Sequence, residues 1–187
     1  GLDSAVEYSL FFGIIRDYKG LDLLLDTWAK LKADGQTSNR KLIVAGEFYS
    51  NAEKYEQLEA ELQLAEHIVW CKEFVPADKV RYYFAAADLV AQPYKTATQS
   101  GITQIAYHFE RPMLVTNVGG LAEIVHDHKM GYAVEPNAEA IAEAIADYYT
   151  NNRQSNYTEY LIKQKDYYSW RGMANAFYTI LHNSTKL

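Results

Sequence analysis

The chain has 187 residues, of which 49% are hydrophobic, enough for one domain with a sizeable core and too few for two full domains. Its formal net charge of −6 and the absence of any Lys/Arg run exclude a general nucleic-acid binder, because affinity for phosphate backbones requires a basic face. The single cysteine, Cys71, excludes an internal disulfide framework. No apolar stretch approaches the length of a membrane span, so we expect no transmembrane helix.

The hydrophobic pattern alternates along the chain between short apolar runs and segments with helical spacing. The apolar runs predict strands over 10–15, 41–45, 67–71, 88–92, 113–116 and 131–134. Helical spacing predicts helices over 21–35, 51–65, 80–87, 102–109 and 137–149, and a last helix that opens at Ser169 and Trp170. This alternation predicts an α/β fold, a doubly wound, Rossmann-like parallel sheet of about six strands with helices on both faces and a C-terminal helical tail.

Ligands of doubly wound sheets bind beyond the carboxyl ends of the strands, so the segment directly after each strand is a candidate site. The first of these segments carries two cations, Arg16 and Lys19, just before a helix. Positive charge there is unfavourable with the helix dipole and indicates an anionic ligand, the alternative being a solvated pair at a helix start. No G-x-G-x-x-G or P-loop pattern follows any strand, which argues against a dinucleotide site or a P-loop.

The chain resembles the C-terminal, donor-binding domain of the retaining group 1 (family 4) glycosyltransferases of GT-B fold. The resemblance covers roughly residues 8–150 and depends on FFGIIRDYKGLDLLL, KLIVAGE, IVWCKEFVPADKVRYYFAAADLVAQPY, RPMLVTNVGGLAEIV and GYAVEP in that order. It implies a single donor-binding domain over 1–187, with a leader (1–7), a Rossmann-like core and a helical tail (151–187). The N-terminal acceptor domain of such enzymes is absent, and since the first residue is Gly1 we expect a fragment of a longer enzyme.

The resemblance implies a catalytic role for both cations of the first loop. In this family an arginine and a lysine neutralise the donor diphosphate, which gains negative charge as the glycosidic bond breaks. Lys19 falls on the family lysine. The family arginine is usually at the position of Ile14, so Arg16 is its replacement from a place two residues later.

Four further residues are implied to bind the donor along the first three loops. Gly13 ends the first apolar run, and Gly46 with Glu47 follows the second strand, where the family runs its backbone close to the nucleotide. A glycine at 46 avoids a Cβ clash or allows positive φ, and an ordinary turn glycine is the alternative. Val75 lies in the segment that lines the base in this family.

The segment before the fifth strand departs from the family pattern. The family usually has two glutamates eight positions apart there, the first facing the donor sugar and the second holding the ribose hydroxyls. Aligned back from the proline before the fifth strand, these positions fall on Ala97 and Ile105. Aligned on Gly101 they fall on Thr98 and Ala106, so both glutamates are missing in either alignment.

Two interpretations of this loss stay open. In the first, neighbouring residues bind the donor: Thr98, Gln99, Ser100, Gly101 and Gln104. Ser100 and Gly101 would offer free N–H groups at a helix N-terminus to phosphate, and Gln104 a carboxamide to the ribose diol. In the second, the site has decayed and the domain is a scaffold.

The resemblance therefore implies half of a glycosyltransferase that binds a UDP-, GDP- or ADP-sugar, without a cofactor or metal, for retaining transfer to an unknown acceptor. The alternative is a non-catalytic binding or scaffold domain with a degenerate donor site. The implied partners are the nucleotide sugar and a missing N-terminal domain packed on the C-terminal helices, and nucleic acid is not among them. We expect a bacterial enzyme of polysaccharide or glycan biosynthesis, cytoplasmic, with the missing domain able to associate with the inner face of the membrane. The His126, Asp127 and His128 trio supplies no fourth ligand at a typical spacing, so we expect no metal site.

Overall fold

The computed structural model describes residues 2–49, 51–125, 129–165 and 170–184. Six parallel strands form one sheet in the order β3-β2-β1-β4-β5-β6. The strands are β1 (Glu7–Phe12), β2 (Arg40–Ala45), β3 (Ile68–Cys71), β4 (Leu89–Gln92), β5 (Met113–Thr116) and β6 (Gly131–Val134). The direction of winding reverses between β1 and β4, which creates a crevice at their carboxyl ends. The predicted doubly wound α/β fold is confirmed.

Helices connect the strands and form the tail. A 3-10 turn (Asp17–Lys19) precedes α1, and the helices are α1 (Leu21–Ala33), α2 (Glu53–Glu61), α3 (Ala77–Ala86), α4 (Gly101–His108), α5 (Leu121–Ile124), α6 (Ala138–Thr150), α7 (Gln154–Gln164) and α8 (Trp170–Ser184).

Successive residues of each strand face opposite sides of the sheet, and both sides are buried under helices. On one side Phe11 and Val44 pack with the fully buried Trp28 of α1. On the other side Leu10 packs with Phe84 of α3. Burial of each such side chain contributes roughly 1.5–3 kcal/mol to the free energy of folding. The two cores therefore fix the strands, and with them the loops that follow the carboxyl ends of the strands.

The first strand is displaced from its predicted place. It was predicted over 10–15, but it spans Glu7–Phe12. Gly13 ends it by adopting φ +98, and Ile14 is then 44% exposed. Ile15 is buried again and bridges to the segment after β2, which explains why the apolar pattern continued past the end of the strand.

Two helices also differ from their predicted bounds. The helix predicted over 80–87 begins at Ala77, directly after Pro76 with its extended ψ of 149°. The helix predicted over 51–65 ends at Glu61, because Gln63 adopts φ +54 and turns the chain toward β3.

The tail helix α8 exposes nearly all of its described side chains. Every residue from Met173 to His182 is exposed, including Phe177 at 60% and Tyr178 at 70%. Ser169, predicted to open this helix, lies outside the described residues, and the side chain of Trp170 does too. Across the described ranges, the helices are all too short or too polar to traverse a lipid bilayer.

Candidate functional site

The candidate site lies at the carboxyl ends of β1, β2 and β4, where the first two loops touch through their glycines. The N–H of Gly13 donates to the carbonyl of Ala45, and that of Gly46 to the carbonyl of Cys71, each at 2.9 Å. A Cβ at Gly46 would lie 2.2 Å from the Gly13 carbonyl oxygen, and Gly46 adopts φ +146. Gly46 thus both adopts a positive φ and avoids a Cβ clash, the two reasons for a glycine that were expected from the sequence. The group that a Cβ would clash with is the backbone of the first loop.

Lys19 is buried within this loop, and its ammonium group is the central cation of the site. It ends the 3-10 turn, is only 9% exposed, and its Nζ lies 3.4 Å from where a Cβ of Gly13 would be. Burial, and then the positive charge of Arg16, lower the pKa of Lys19. Among the described residues no acidic side chain forms an ion pair with it. A desolvated cation without a counter-ion is costly, and an anionic ligand would remove that cost.

Arg16 shares the loop with Lys19 and is exposed. Its guanidinium carbon lies 4.1 Å from the ring centroid of Tyr49, which follows β2 and is 71% exposed. A cation–π contact at an exposed site is worth only about 0.5–1 kcal/mol, so a ligand phosphate could replace it. The structure thus brings both predicted cations together, and within the described part of the chain neither forms an ion pair with a carboxylate.

The N-terminus of α4 lies over the same loop. Ser100 has extended φ of −136, and its Oγ accepts a hydrogen bond from the N–H of Ile102 at 3.2 Å. The side chain of Ile102 would be 3.1 Å from a Cβ on Gly13. A second hydrogen bond, 3.2 Å long, joins Ser100 to the hydroxyl of Tyr94. Ser100 is therefore both the N-cap of α4 and part of the lysine's surroundings.

The other predicted polar residues of this segment are exposed. Thr98, Gln99 and Gly101 border the N-terminus of α4. A Cβ built on Gly101 would point into open space, with no described atom within 4 Å other than those of its own helix backbone and chain neighbours. Gln104 is exposed too, but at 100° per residue it lies about 200° around α4 from Ile102. The structure does not bring Gln104 to the lysine, and its role toward a ribose stays a prediction.

The positions of the two family glutamates differ between the two alignments. In the alignment on Gly101 they are the exposed Thr98 and the buried Ala106, and in the alignment back from Pro112 they are two packing residues. Ile105 and Ala97 are half-buried against the core on the α3–α4 side of the sheet. The carbonyl of Ala97 would lie 1.7 Å from a Cβ on Gly119, and the carbonyl of Thr98 accepts a hydrogen bond from Gly120 at 3.1 Å. The glycine pair after β5 is thus needed for the packing of the two loops. Position 105, one of the candidate positions for a family glutamate, makes an apolar contact with the core instead.

A cavity of about 550 Å³ opens beside the end of β3. Its lining is Trp70, Cys71, Lys72, Glu73, Phe74, Val75, Pro76, Lys79 and Tyr83. The predicted Val75 is half-buried in it, and the hydrogen bond from Gly46 to Cys71 joins it to the glycine contact. The predicted Glu47 is exposed, and its carbonyl accepts from Ile15 at 2.8 Å. The volume falls in the range of small-molecule sites.

Two tyrosines at the site were missed by the sequence reasoning. Tyr49 stacks on Arg16, and the ring centroid of Tyr94 lies 5.8 Å from the Nζ of Lys19. Tyr94 directly follows Pro93 in the segment after β4, so its place in the loop was visible. Because Tyr94 and Lys19 are 75 positions apart in the sequence, no local pattern of residues indicates that the two side chains are in contact.

Within the described ranges, no group of three His, Cys, Asp or Glu side chains is arranged to hold a metal ion. The trio His126, Asp127 and His128, weighed above as a metal site, lies outside the described residues.

Comparison with known families identifies the class of protein. Residues 7–151 match the family described as Glycosyl transferases group 1. Since this is most of the chain, the protein belongs to the group 1 glycosyl transferases, and the resemblance seen in the sequence is confirmed. Comparison with curated proteins gave no match.

Solved structures share the fold at low sequence identity. HepE from Anabaena, in complex with UDP, has a TM-score of 0.80 and 17% identity over 98% of this chain and 50% of its own. Sucrose-phosphate synthase from Thermosynechococcus elongatus has a TM-score of 0.76 and 19% identity, over 98% of this chain and 47% of its own. The C-terminal domain of LpcC from Francisella tularensis has a TM-score of 0.72 and 19% identity, over 83% of this chain and 82% of its own. The chain thus spans about half the length of the first two proteins and most of an isolated C-terminal domain.

Proposed function

We propose that this chain is the donor-binding half of a retaining glycosyltransferase and that it holds a UDP-, GDP- or ADP-sugar at the carboxyl edge of its sheet. The observation that carries the proposal is Lys19, a buried cation with a lowered pKa that forms no ion pair with any carboxylate in the described ranges. The structure of HepE with UDP, and another with UDP and glucose, supports a nucleotide sugar as the donor.

The proposed chemistry is stabilisation of the leaving nucleoside diphosphate. As the bond from the sugar to the diphosphate breaks, negative charge grows on the phosphate oxygens, and a preorganised cation lowers the barrier. Lys19 supplies that charge from a desolvated place and Arg16 supplies a second one. The free N–H groups at the start of α4, near Ser100 and Gly101, add the positive end of a helix dipole.

The base of the nucleotide is proposed to enter the cavity beside β3, where Val75 contributes backbone groups. Gly13 and Gly46 connect this cavity to the cations, because Gly46 donates a hydrogen bond to Cys71 of the cavity lining and a Cβ on Gly13 would lie 3.4 Å from the Nζ of Lys19. Glu47 follows Gly46 in the same loop. Thr98 and Gln99 border the start of α4, where the donor sugar would lie. No cofactor or metal takes part in this proposal.

A non-catalytic domain with a degenerate donor site is the second candidate. The observation that favours it is that the position of the second family glutamate holds an apolar residue in either alignment, the half-buried Ile105 or the buried Ala106. Without a carboxylate for the ribose hydroxyls, the nucleotide loses a charge-assisted hydrogen bond worth about 1.5–3 kcal/mol.

The complete enzyme is proposed to add an N-terminal acceptor domain. The chain spans 50% of HepE and 47% of sucrose-phosphate synthase, and the exposed apolar side chains of α8 are a suitable surface for the missing half. Cytoplasmic location, a bacterial source and contact with the inner face of the membrane remain parts of the same proposal.

Calorimetric titration of the 187-residue chain with UDP, GDP, ADP and their common sugar conjugates tests the donor site. One nucleotide should bind, and Lys19→Ala should weaken it at least tenfold, which corresponds to about 1.4 kcal/mol. Lys163→Ala, which removes an exposed lysine of α7 paired with Glu159, is the matched control and should leave affinity unchanged. Absence of binding at millimolar concentration, or equal binding by Lys19→Ala, would favour the degenerate domain.

A further inference from the structure

Tyr94 is the side chain that lies beneath the ammonium group of Lys19, and it is fixed on several sides. It is 3% exposed, and its ring centroid is 5.8 Å from the lysine Nζ. Its hydroxyl shares a hydrogen bond with Ser100, and its carbonyl accepts one from the hydroxyl of Thr116. The ring of Tyr18 meets it edge-on at 6.0 Å.

We propose that Tyr94 is the positioning residue of Lys19, and that its buried ring holds the ammonium by a cation–π contact in the place where a carboxylate would otherwise be. The proposal rests on the proposed donor site, because the lysine is kept charged for an anionic ligand. It adds a residue that acts through Lys19 and does not itself touch the ligand.

Neighbouring lysines show the contrast that supports this assignment. Lys95 follows Tyr94 in the chain and forms an ion pair of 2.6 Å with Asp22. Lys54 forms one of 3.2 Å with Asp17, in the turn that carries Lys19. Carboxylates are therefore available around this loop, yet the lysine at the centre rests on a ring. A carboxylate there would cancel the charge that an anionic ligand needs, whereas a ring orients the cation and leaves it positive.

The tyrosine also connects the lysine to the start of α4. Burial raises the pKa of Tyr94 to about 12, so the phenol is neutral at ordinary pH and adds no negative charge beside the lysine. Its hydroxyl bonds to Ser100, the residue that caps α4. One rigid side chain thus fixes the relative positions of the two features expected to contact phosphate.

The test uses the 187-residue chain with Tyr94→Phe and Tyr94→Leu, and with inorganic pyrophosphate and UDP as probes in calorimetry. Tyr94→Phe keeps the ring and should bind within about twofold of the parent. Tyr94→Leu removes the ring and should bind about tenfold more weakly, as expected from a cation–π contact of a desolvated cation. Tyr148→Leu, an equally buried tyrosine of α6, controls for general loss of stability and should not change affinity.

A pH titration of the Lys19 amine distinguishes positioning from a merely structural role. NMR of the lysine side-chain carbon follows the titration, and the signal is assigned by its absence in Lys19→Arg. Loss of the ring contact should lower the Lys19 pKa further, since the charged form loses its partner. If Tyr94→Leu only loosened the loop, water would reach the amine and its pKa would rise toward 10.5, which would overturn the proposal. Equal affinity of parent and Tyr94→Leu would overturn it as well.

The experiment still tests the proposal if the parent chain does not bind a probe or if Tyr94→Leu does not fold. If the parent binds neither probe, the donor site is wrong, and the NMR comparison still decides whether the ring holds the lysine. If Tyr94→Leu does not fold, Tyr94→Met fills the space without an aromatic face and should give the same lower affinity and lower pKa. A rise in the Lys19 pKa in Tyr94→Met would reject the cation–π contact.

Discussion

At the scale of single residues, the site depends on a few groups held in costly states. Lys19 is charged and buried, and Gly46 has a backbone conformation that other residues rarely adopt. Neither state stabilises the fold by itself. Such strain is typical of positions kept for a ligand rather than for stability.

Replacing Lys19 by methionine is expected to stabilise the protein. The charged form is desolvated in the native state without a carboxylate, so Lys19→Met should raise the free energy of unfolding at pH 7 by an amount on the order of 1 kcal/mol. Urea denaturation measures this, with Lys163→Met on exposed α7 as control. Anion binding should be lost in the same variant, and a less stable Lys19→Met would show that the cation contributes to folding.

The pH dependence of stability should identify the same lysine. Its pKa is lowered in the folded state below 10.5, so between the folded and unfolded values the unfolded chain binds more protons. Stability contributed through Lys19 therefore rises as pH increases through its folded pKa. The advantage of Lys19→Met over the parent should shrink across that window in urea melts at increasing pH. A constant difference would contradict the lowered pKa.

Gly46→Ala should be strongly destabilising because the added Cβ would lie 2.2 Å from the Gly13 carbonyl oxygen at φ +146. We expect a loss of about 2–4 kcal/mol in the free energy of unfolding. Gly101→Ala is the matched control: it has open space around it at the first residue of α4, and it should be neutral or slightly stabilising. Similar losses for both variants would argue that the Gly13 contact does not constrain the loop.

At the scale of elements, two helices have comparable caps but different neighbours. Ser100 caps α4 at the candidate site, and the side-chain oxygen of Asn137 caps α6 by accepting from Ala140 at 2.9 Å. Each replacement by alanine should cost about 1 kcal/mol of stability. Of the two variants, Ser100→Ala should also weaken binding of pyrophosphate, because α4, unlike α6, begins at the candidate site. Calorimetry and urea denaturation on both variants measure the two effects, and equal effects on binding would remove α4 from the site.

Much of the element order was predictable from the sequence, because apolar runs and helical spacing have local causes. All six strands exist, and β1 was misplaced by three residues because Ile15 is buried for a reason of its own. The site was predictable where a residue's type alone is informative, as with Lys19 and Gly46. The ring of Tyr94 under Lys19 was not, since that contact depends on how two loops meet after the sheet forms.

At the scale of the whole molecule, the exposed apolar side chains of α8 should control association. Met173, Phe177 and Tyr178 are exposed at 46%, 60% and 70%, and a cluster of such residues on one helix promotes contact between copies. The chain should therefore self-associate at micromolar concentration in sedimentation velocity. Phe177→Ser with Tyr178→Ser should shift it to the monomer and leave nucleotide affinity unchanged, because none of the residues assigned to the site lies on α8. Asn175→Ser on the same helix is the control and should still associate, whereas a monomeric parent would show that α8 alone does not bring copies together.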